Sequence, residues 1–359
     1  MSRPRGILKG VLMKNCLMIG AGGFGAYWIR NIFPDFRDQV RITGLVDVNE
    51  EALRESGKFL SLRESQLFTN MEKGFLRTEA DFCVIVIPPA FHREACLFAV
   101  EKGLPILSEK PIADTIEAAR DIYTHVRKAR LKMAVVQNYR YSKRMLTFRK
   151  VLREGTLGHT NYIISRFAAD YRKYPVWGKF RHEIENALLV EGAIHHFDMI
   201  RNLTSSDCKT ICGYGWNPPW SSFKGNSAGL YVMEMENGTR ALYEGNCSEA
   251  GKENSWHQEY YRAECENGAL EVDVEGKVMM LRVGKEPEEE RPAPADPTGH
   301  HTILRNFLSW LGGAEAPETA LEDNVKSLAM IFAATSAGKE NSTKSVPEFV
   351  RRMTGGVGS

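Results

Sequence analysis

The sequence predicts an α/β protein: a doubly wound parallel sheet, then a mainly antiparallel sheet with its own helices. Three observations predict it. Apolar runs alternate with helical patterns from about residue 14 to 136, a glycine-rich turn sits at the first strand–helix junction, and beyond residue 150 the runs become β-rich with Asn-Gly turns.

Residues 1–12 precede the first credible strand and are expected to form a disordered leader, with Met13 a natural start. Cys16-Leu17-Met18-Ile19 then runs into Gly20-Ala21-Gly22-Gly23-Phe24-Gly25 and a helical pattern that ends at Pro34. In this G-x-G-x-x-G spacing Gly20 permits the tight turn, Gly22 admits a pyrophosphate, and Gly25 lets helix and strand pack closely. A second strand, Arg41–Val46, ends in Asp47, about 20 residues on, where an acid holds the adenosine ribose diol. No Arg or Lys adjoins Asp47 to meet a 2′-phosphate, which favours NAD and leaves NADP possible.

The alternation continues through a helix over 49–56, a strand at 66–68 and the unbroken apolar run Phe82–Ile87, as expected of a strand covered on both faces. The run stops at Pro88-Pro89, and Phe91–Lys102 reads as a helix containing His92. Leu104–Leu107, a helix opened by Asp114-Thr115-Ile116-Glu117, and Lys132–Val136 close the series. Ligands of such sheets sit beyond the strand C-termini, so Gly20–Gly25, Asp47, 88–92, 108–111 and 137–140 are the places to seek function. Among them Ser108-Glu109-Lys110-Pro111 stands out, because Pro111 biases Lys110 toward an extended backbone and aims its ammonium from a stiff strand end.

After Arg140 the texture changes. A helix over Met145–Glu154 and a strand over Tyr162–Ala169 lead into an aromatic and ionic crowd that includes Tyr171, Trp177 and His182. Strands are expected at 210–216, 228–236, 240–246, 260–266, 269–274 and 277–283, with turns at Asn237-Gly238 and Asn267-Gly268. Closing helices are expected at about 301–311 and 320–337, with His300 and His301 at a helix start.

Between these lies Leu189–Arg201, the stretch richest in chemistry. Read as a helix, it puts Glu191 and His195 four residues apart and His195 and Asp198 three apart, on a common face. A proton-transfer group, a metal site, or a buried helix with satisfied histidines all fit this pattern alone. Once Asp198 is read as structural, two strong metal ligands remain, so no metal is expected.

The totals exclude several classes. The 359 residues suffice for two domains, 13–140 and 141–359, each with a core. Lys+Arg 47 against Asp+Glu 45 gives a net charge of +2, which argues for neither nucleic acid nor an anionic membrane. No apolar run approaches the ~20 residues of a membrane helix, no signal peptide is evident, and seven scattered cysteines suggest no disulfide framework. A cytoplasmic setting is the expectation.

With these residues placed, the chain resembles the glucose–fructose oxidoreductase / inositol dehydrogenase / rhizopine-catabolism (Gfo/Idh/MocA) family. The likeness rests on Gly20–Gly25, Asp47, Pro88-Pro89 with His92, Glu109-Lys110-Pro111, Asn138-Tyr139-Arg140, Glu191–Asp198 and the last helix. It implies a Rossmann domain plus an α/β domain on a large, open, mainly antiparallel sheet used for homodimer or homotetramer contacts. It implies nicotinamide-dependent chemistry on sugars, inositols or related polyols. Lys110 matches the family's E-K-P lysine and His195 its catalytic histidine, while Glu191 stands where the family usually has Asp and Ala193 where it has Gly. The implied cofactor residues are Gly20, Gly22, Gly23, Phe24, Gly25 and Asp47, with Pro88, Pro89, His92, Glu109, Lys110 and Asn138 beside them. Tyr139, Arg140, Tyr171, Trp177 and His182 are candidates to line the sugar site with Glu191 and His195. On this reading His195 is the base, Lys110 steadies the same oxygen, and Glu191 orients substrate or imidazole. The family also contains NAD-retaining glycosidases and non-catalytic, cofactor-binding regulators, which remain alternatives.

Overall fold

The computed structural model describes residues 13–251, 256–257 and 259–356; the expected leader, 1–12, lies outside the described residues. These residues form two compact units. The first takes in 13–109, 121–136 and 304–320, and the second 110–120, 137–303 and 321–356. This clustering departs from a boundary at 140 in placing 110–120 and 137–140 with the second unit and 304–320 with the first. The late segment joins the first unit because Val135 donates its N–H to Thr319 O at 2.9 Å and Phe307 packs edge-on against Phe82.

In the first unit β1 (Lys14–Ile19), β2 (Val40–Val46), β3 (Leu67–Phe68), β4 (Phe82–Ile85), β5 (Ile106–Ser108) and β6 (Met133–Val135) form one parallel sheet in the order β3-β2-β1-β4-β5-β6. This is the doubly wound arrangement the alternation predicts. The apolar stretches Leu17–Ile19 and Phe82–Ile85 are buried throughout, as strands covered on both faces must be. β4 ends two residues earlier than the apolar run, because Val86-Ile87 already bends toward Pro88. The helix after the glycine turn is short (Gly23–Tyr27) and widens into a π turn over Trp28–Ile32. Asn49 caps the next helix, Glu50–Phe59, by accepting the N–H groups of Glu51 and Ala52.

The second unit is built on β7 (Thr160–Ala168), β8 (Cys208–Trp216), β9 (Ala228–Met235), β10 (Arg240–Asn246), β11 (Tyr260–Cys265), β12 (Gly268–Val272), β13 (Val278–Leu281), β14 (Glu288–Glu289) and β15 (Lys344–Ser345). Among the described residues they form one open sheet, ordered β14-β13-β12-β11-β7-β10-β9-β8-β15. β7 and β10 run parallel and the other pairs antiparallel. One face carries Ile163, Phe167, Tyr231, Met233, Tyr243 and Tyr261, all buried. Against this sheet lies the helix Ile194–Thr204, every residue of which is buried. The other face leaves Tyr214, Trp216, Leu230, Val232 and Leu242 exposed. No helix among the described residues is long and apolar enough to cross a membrane.

Candidate functional site: a dinucleotide cradle and a lysine–glutamate–histidine cluster

The cradle belongs to the first unit. Gly20 has φ +104°, and a Cβ there would lie 2.0 Å from Val86 O; a Cβ on Gly25 would lie 2.4 Å from Gly20 O. Both positions therefore need glycine for backbone reasons. Gly22 is different: the nearest protein atoms to a Cβ there are Ala52 Cβ at 3.2 Å and Asp47 Oδ2 at 3.8 Å, and Gly23 meets nothing within 4 Å. These two glycines keep clear the space that a pyrophosphate would fill, at a helix start that no side chain caps. Asp47 shapes the same loop: Oδ2 accepts the N–H groups of Ala21 (2.7 Å) and Gly22 (3.0 Å), and Oδ1 accepts that of Asn49 (2.8 Å). An adenosine ribose fits a carboxylate so presented, and its charge disfavours a 2′-phosphate.

The other expected cofactor residues divide. Pro88 is exposed and Pro89 opens a short 3₁₀ turn, whereas His92 is fully buried with Nε2 2.8 Å from Ile87 O. His92 thus holds the Ile87–Pro88 bend. Glu109 is also buried, accepting the indole N–H of Trp28 at 2.8 Å. Phe24 is half exposed and stacked on Tyr27. Asn138, at the start of a 3₁₀ turn, belongs to the second unit.

The second unit holds the acid–base cluster. The segment before His195 is a π turn, Leu188–Ala193, in which the Ile194 N–H reaches back to Leu189 O; the α-helix begins only at Ile194. Glu191 and His195 are therefore not spaced as in one regular α-helix, and such π insertions recur at functional sites. The Lys110–Pro111 peptide is cis. Lys110 Nζ donates to the main-chain oxygen of Glu191 at 3.0 Å and lies 3.5 Å from its Oε2. Arg181 Nε holds that same Oε2 at 2.9 Å, while Oε1 is buried with no partner among the described residues. Arg181 is fixed in turn by Nη1 to Trp177 O (2.7 Å), its guanidinium 5.0 Å from the centre of the Trp177 ring.

His195 is buried, and Nδ1 has no hydrogen-bond partner among the described residues. Burial, then the charge of Lys110 and the neighbouring His196, His257 and His300, hold its pKa well below the ordinary histidine value. It is neutral at pH 7. Trp256 stands edge-on to His195 at 6.1 Å and to Trp177 at 5.8 Å, and Tyr171 stacks on Trp177 at 5.0 Å.

Three expected sugar-site residues are otherwise engaged. Arg140 is buried and grips Asp198 with Nε and Nη2, both at 2.6 Å, and Asp323 at 2.7 Å. This is a structural ion-pair network, and it accounts for Asp198 as well. His182 is fully buried, with Nε2 on Val176 O (2.7 Å), Nδ1 on Ser222 Oγ (3.0 Å) and its ring stacked on Phe223. Both nitrogens are taken. Tyr139 is buried, and its hydroxyl donates to Glu259. Among the described residues no group of His, Cys, Asp and Glu is placed to hold a metal ion. Sequence reasoning passed over Arg181, Trp256 and Glu259. Arg181 sat in the aromatic and ionic crowd beside His182; the others carried no motif.

A glycine cradle with an acid after the second strand, in one chain with a lysine, a carboxylate and a neutral histidine, fits an NAD-binding oxidoreductase. Residues 14–137 match the oxidoreductase family with NAD-binding Rossmann fold, and residues 145–271 match the GFO/IDH/MocA C-terminal domain. The chain belongs to the GFO/IDH/MocA family. It is 35% identical to the uncharacterized protein y4oX of Sinorhizobium fredii, over 93% of this chain and 96% of that one. A D-apiose dehydrogenase of Paraburkholderia graminis is 22% identical, over 91% and 88%. Among solved structures, an oxidoreductase from Agrobacterium radiobacter in complex with NAD+, L-tartaric acid and magnesium superposes with a TM-score of 0.81 at 17% identity, covering 94% of this chain and 99% of that one.

Proposed function

We propose that this protein moves a hydride between a nicotinamide cofactor and a carbinol or carbonyl carbon of a sugar, cyclitol or related polyol. The observation that carries the reading is the neutral, buried His195 in a cluster with Lys110 and Glu191. Hydride leaves a carbinol carbon more readily as its hydroxyl proton departs, so a base must reach that oxygen. His195 Nε2 takes this proton in oxidation and returns it in reduction. Lys110 Nζ hydrogen-bonds the same oxygen and steadies its developing charge. Glu191, anchored by Arg181, orients a neighbouring hydroxyl through Oε1, which otherwise lacks a partner. NAD, when bound, supplies the hydride acceptor, or as NADH the donor. Trp177, Trp256 and Tyr171 line the substrate side, and the D-apiose dehydrogenase relative fits a sugar-like substrate.

The test is a panel of sugars, sugar acids and inositols with NAD and NADP separately. Substrate-dependent NADH formation supports the reading. Aglycone release without net NADH would point to transient oxidation by a glycosidase, and no turnover with retained NAD binding would point to a regulator. The exposed Tyr214, Trp216, Leu230, Val232 and Leu242 are contiguous through the register Tyr214↔Leu230 and Leu242↔Val232, and we assign this patch to a homo-oligomer contact. A native mass equal to one chain would contradict that assignment. Seven unpaired cysteines fit a reducing, cytoplasmic setting.

A further inference from the structure

Tyr139 and His195 lie face to face, their ring centroids 4.4 Å apart and their planes 9° from parallel. The tyrosine is held there from β11's end of the sheet. Its hydroxyl donates to Glu259 Oε1 at 3.0 Å, 120 residues away in sequence. Glu259 Oε1 also accepts the His257 main-chain N–H at 2.8 Å, Arg144 Nη2 pairs with Oε2, and His196 Nε2 stands 3.6 Å away. Burial works to raise the Glu259 pKa, but His196 and Arg144 outweigh it and keep the carboxyl below its ordinary value, hence ionised. Burial and then Glu259 push the Tyr139 hydroxyl upward, so it remains a donor.

His195 needs such support. A buried imidazole that accepts a proton ordinarily has a carboxylate at its second nitrogen to stabilise the cation. Here Nδ1 has no partner among the described residues. The titratable groups that act on His195 are Lys110, His196, His257 and His300, none of them a carboxylate, and the nearby Lys110 shares Glu191 with Arg181. Among the described residues none of these groups brings a negative charge to Nδ1, and the ring stacked face to face on His195 is that of Tyr139. A donor hydroxyl bonded to a carboxylate makes the electron-rich face of that ring richer still.

We propose that Tyr139, held flat on His195 by its hydrogen bond to Glu259, stabilises the imidazolium formed when His195 takes the substrate's hydroxyl proton. The inference rests on the reading of His195 as the base. The proton passes from the substrate oxygen to Nε2, and no bond in Tyr139 or Glu259 breaks. Both are positioning residues.

The experiment compares full-length native enzyme with Tyr139→Leu, Tyr139→Phe, Glu259→Gln and His195→Ala, measuring kcat, KM for each substrate and the pH profile of kcat/KM. Tyr139→Leu is expected to lower kcat about 2- to 30-fold, with KM for NAD unchanged and the acid limb moved to lower pH, because the imidazolium is disfavoured. Tyr139→Phe keeps the ring without its tether and should lose less, and Glu259→Gln should resemble it. A native kcat and acid limb in Tyr139→Leu would overturn the proposal, as would Tyr139→Phe falling as far as Tyr139→Leu. Should Tyr139→Leu melt before assay, Tyr139→Phe and Glu259→Gln decide: native behaviour in both overturns the tether. Full activity in His195→Ala would overturn the base itself, an outcome distinct from failure of the stack alone.

Discussion

Arg181 and Lys110 divide Glu191 unequally: Arg181 Nε lies 2.9 Å from Oε2 and Lys110 Nζ 3.5 Å, the lysine's shorter contact being to the Glu191 main-chain oxygen at 3.0 Å. The carboxylate is therefore matched chiefly by the arginine. Arg181→Gln removes that competitor and draws Lys110 onto Glu191. We expect kcat to fall about 10-fold and Arg181→Lys to restore part of it, since a lysine keeps the charge without the fork. Steady-state kinetics check this, and a native kcat in Arg181→Gln would remove Arg181 from the account.

Asp47 has a double duty, holding the Ala21 and Gly22 amides and presenting a carboxylate at the tip of β2. Asp47→Ala should weaken NAD binding by about 10- to 100-fold, the worth of hydrogen bonds to a charged group. The ratio of NADP to NAD affinity should rise, because the charge opposing a 2′-phosphate is gone. Fluorescence titration of the reduced cofactors measures both.

The Arg140–Asp198 pair is sealed from water and contributes through Asp323 and Ser327 as well. Asp198→Ala leaves a buried guanidinium short of its closest partner and should destabilise the fold by about 3 kcal/mol or more, read as a lower urea midpoint. Cofactor binding at a temperature where the variant is folded should be nearly native. If Asp198 were a metal ligand or substrate contact, activity would fall with stability unchanged.

Acid should unfold the second unit for a stated reason. Burial first, then neighbouring cations, hold His195 well below 6.5, and burial brings His300 down to about 3. Below pH 6.5 the unfolded chain therefore binds protons that the folded chain refuses, so stability falls as pH falls and rises again toward neutrality. Urea midpoints taken between pH 7 and 5 should decline, and His300→Gln should flatten that slope. A slope unchanged by His300→Gln would mean this histidine titrates normally.

Much of this was legible in the sequence where local chemistry dictates structure. Gly20 and Gly25 are required by backbone contacts within a few residues or one strand away, and the period of the apolar runs marks the strands of both sheets. What could not be read was set by partners distant along the chain. Arg140 meets Asp323 across 183 residues, and Tyr139 meets Glu259 across 120, so neither could be told from a sugar-binding residue in advance. The π turn at Leu188–Ala193 escaped as well, because no residue type marks an i→i−5 bond. Arg181 was visible only as one charge among several, and its meaning depends on where Trp177 and Glu191 place it.

The central claim is that His195 and Lys110 perform proton transfer and oxygen stabilisation for a cofactor held elsewhere in the chain. The most direct measurement is the turnover of His195→Ala and Lys110→Ala on the best polyol substrate, with the dissociation constant for NADH measured alongside. Each variant is expected to lose at least about 100-fold in kcat, the usual scale of general acid–base catalysis, with cofactor affinity nearly native. Native turnover in either variant would contradict the account.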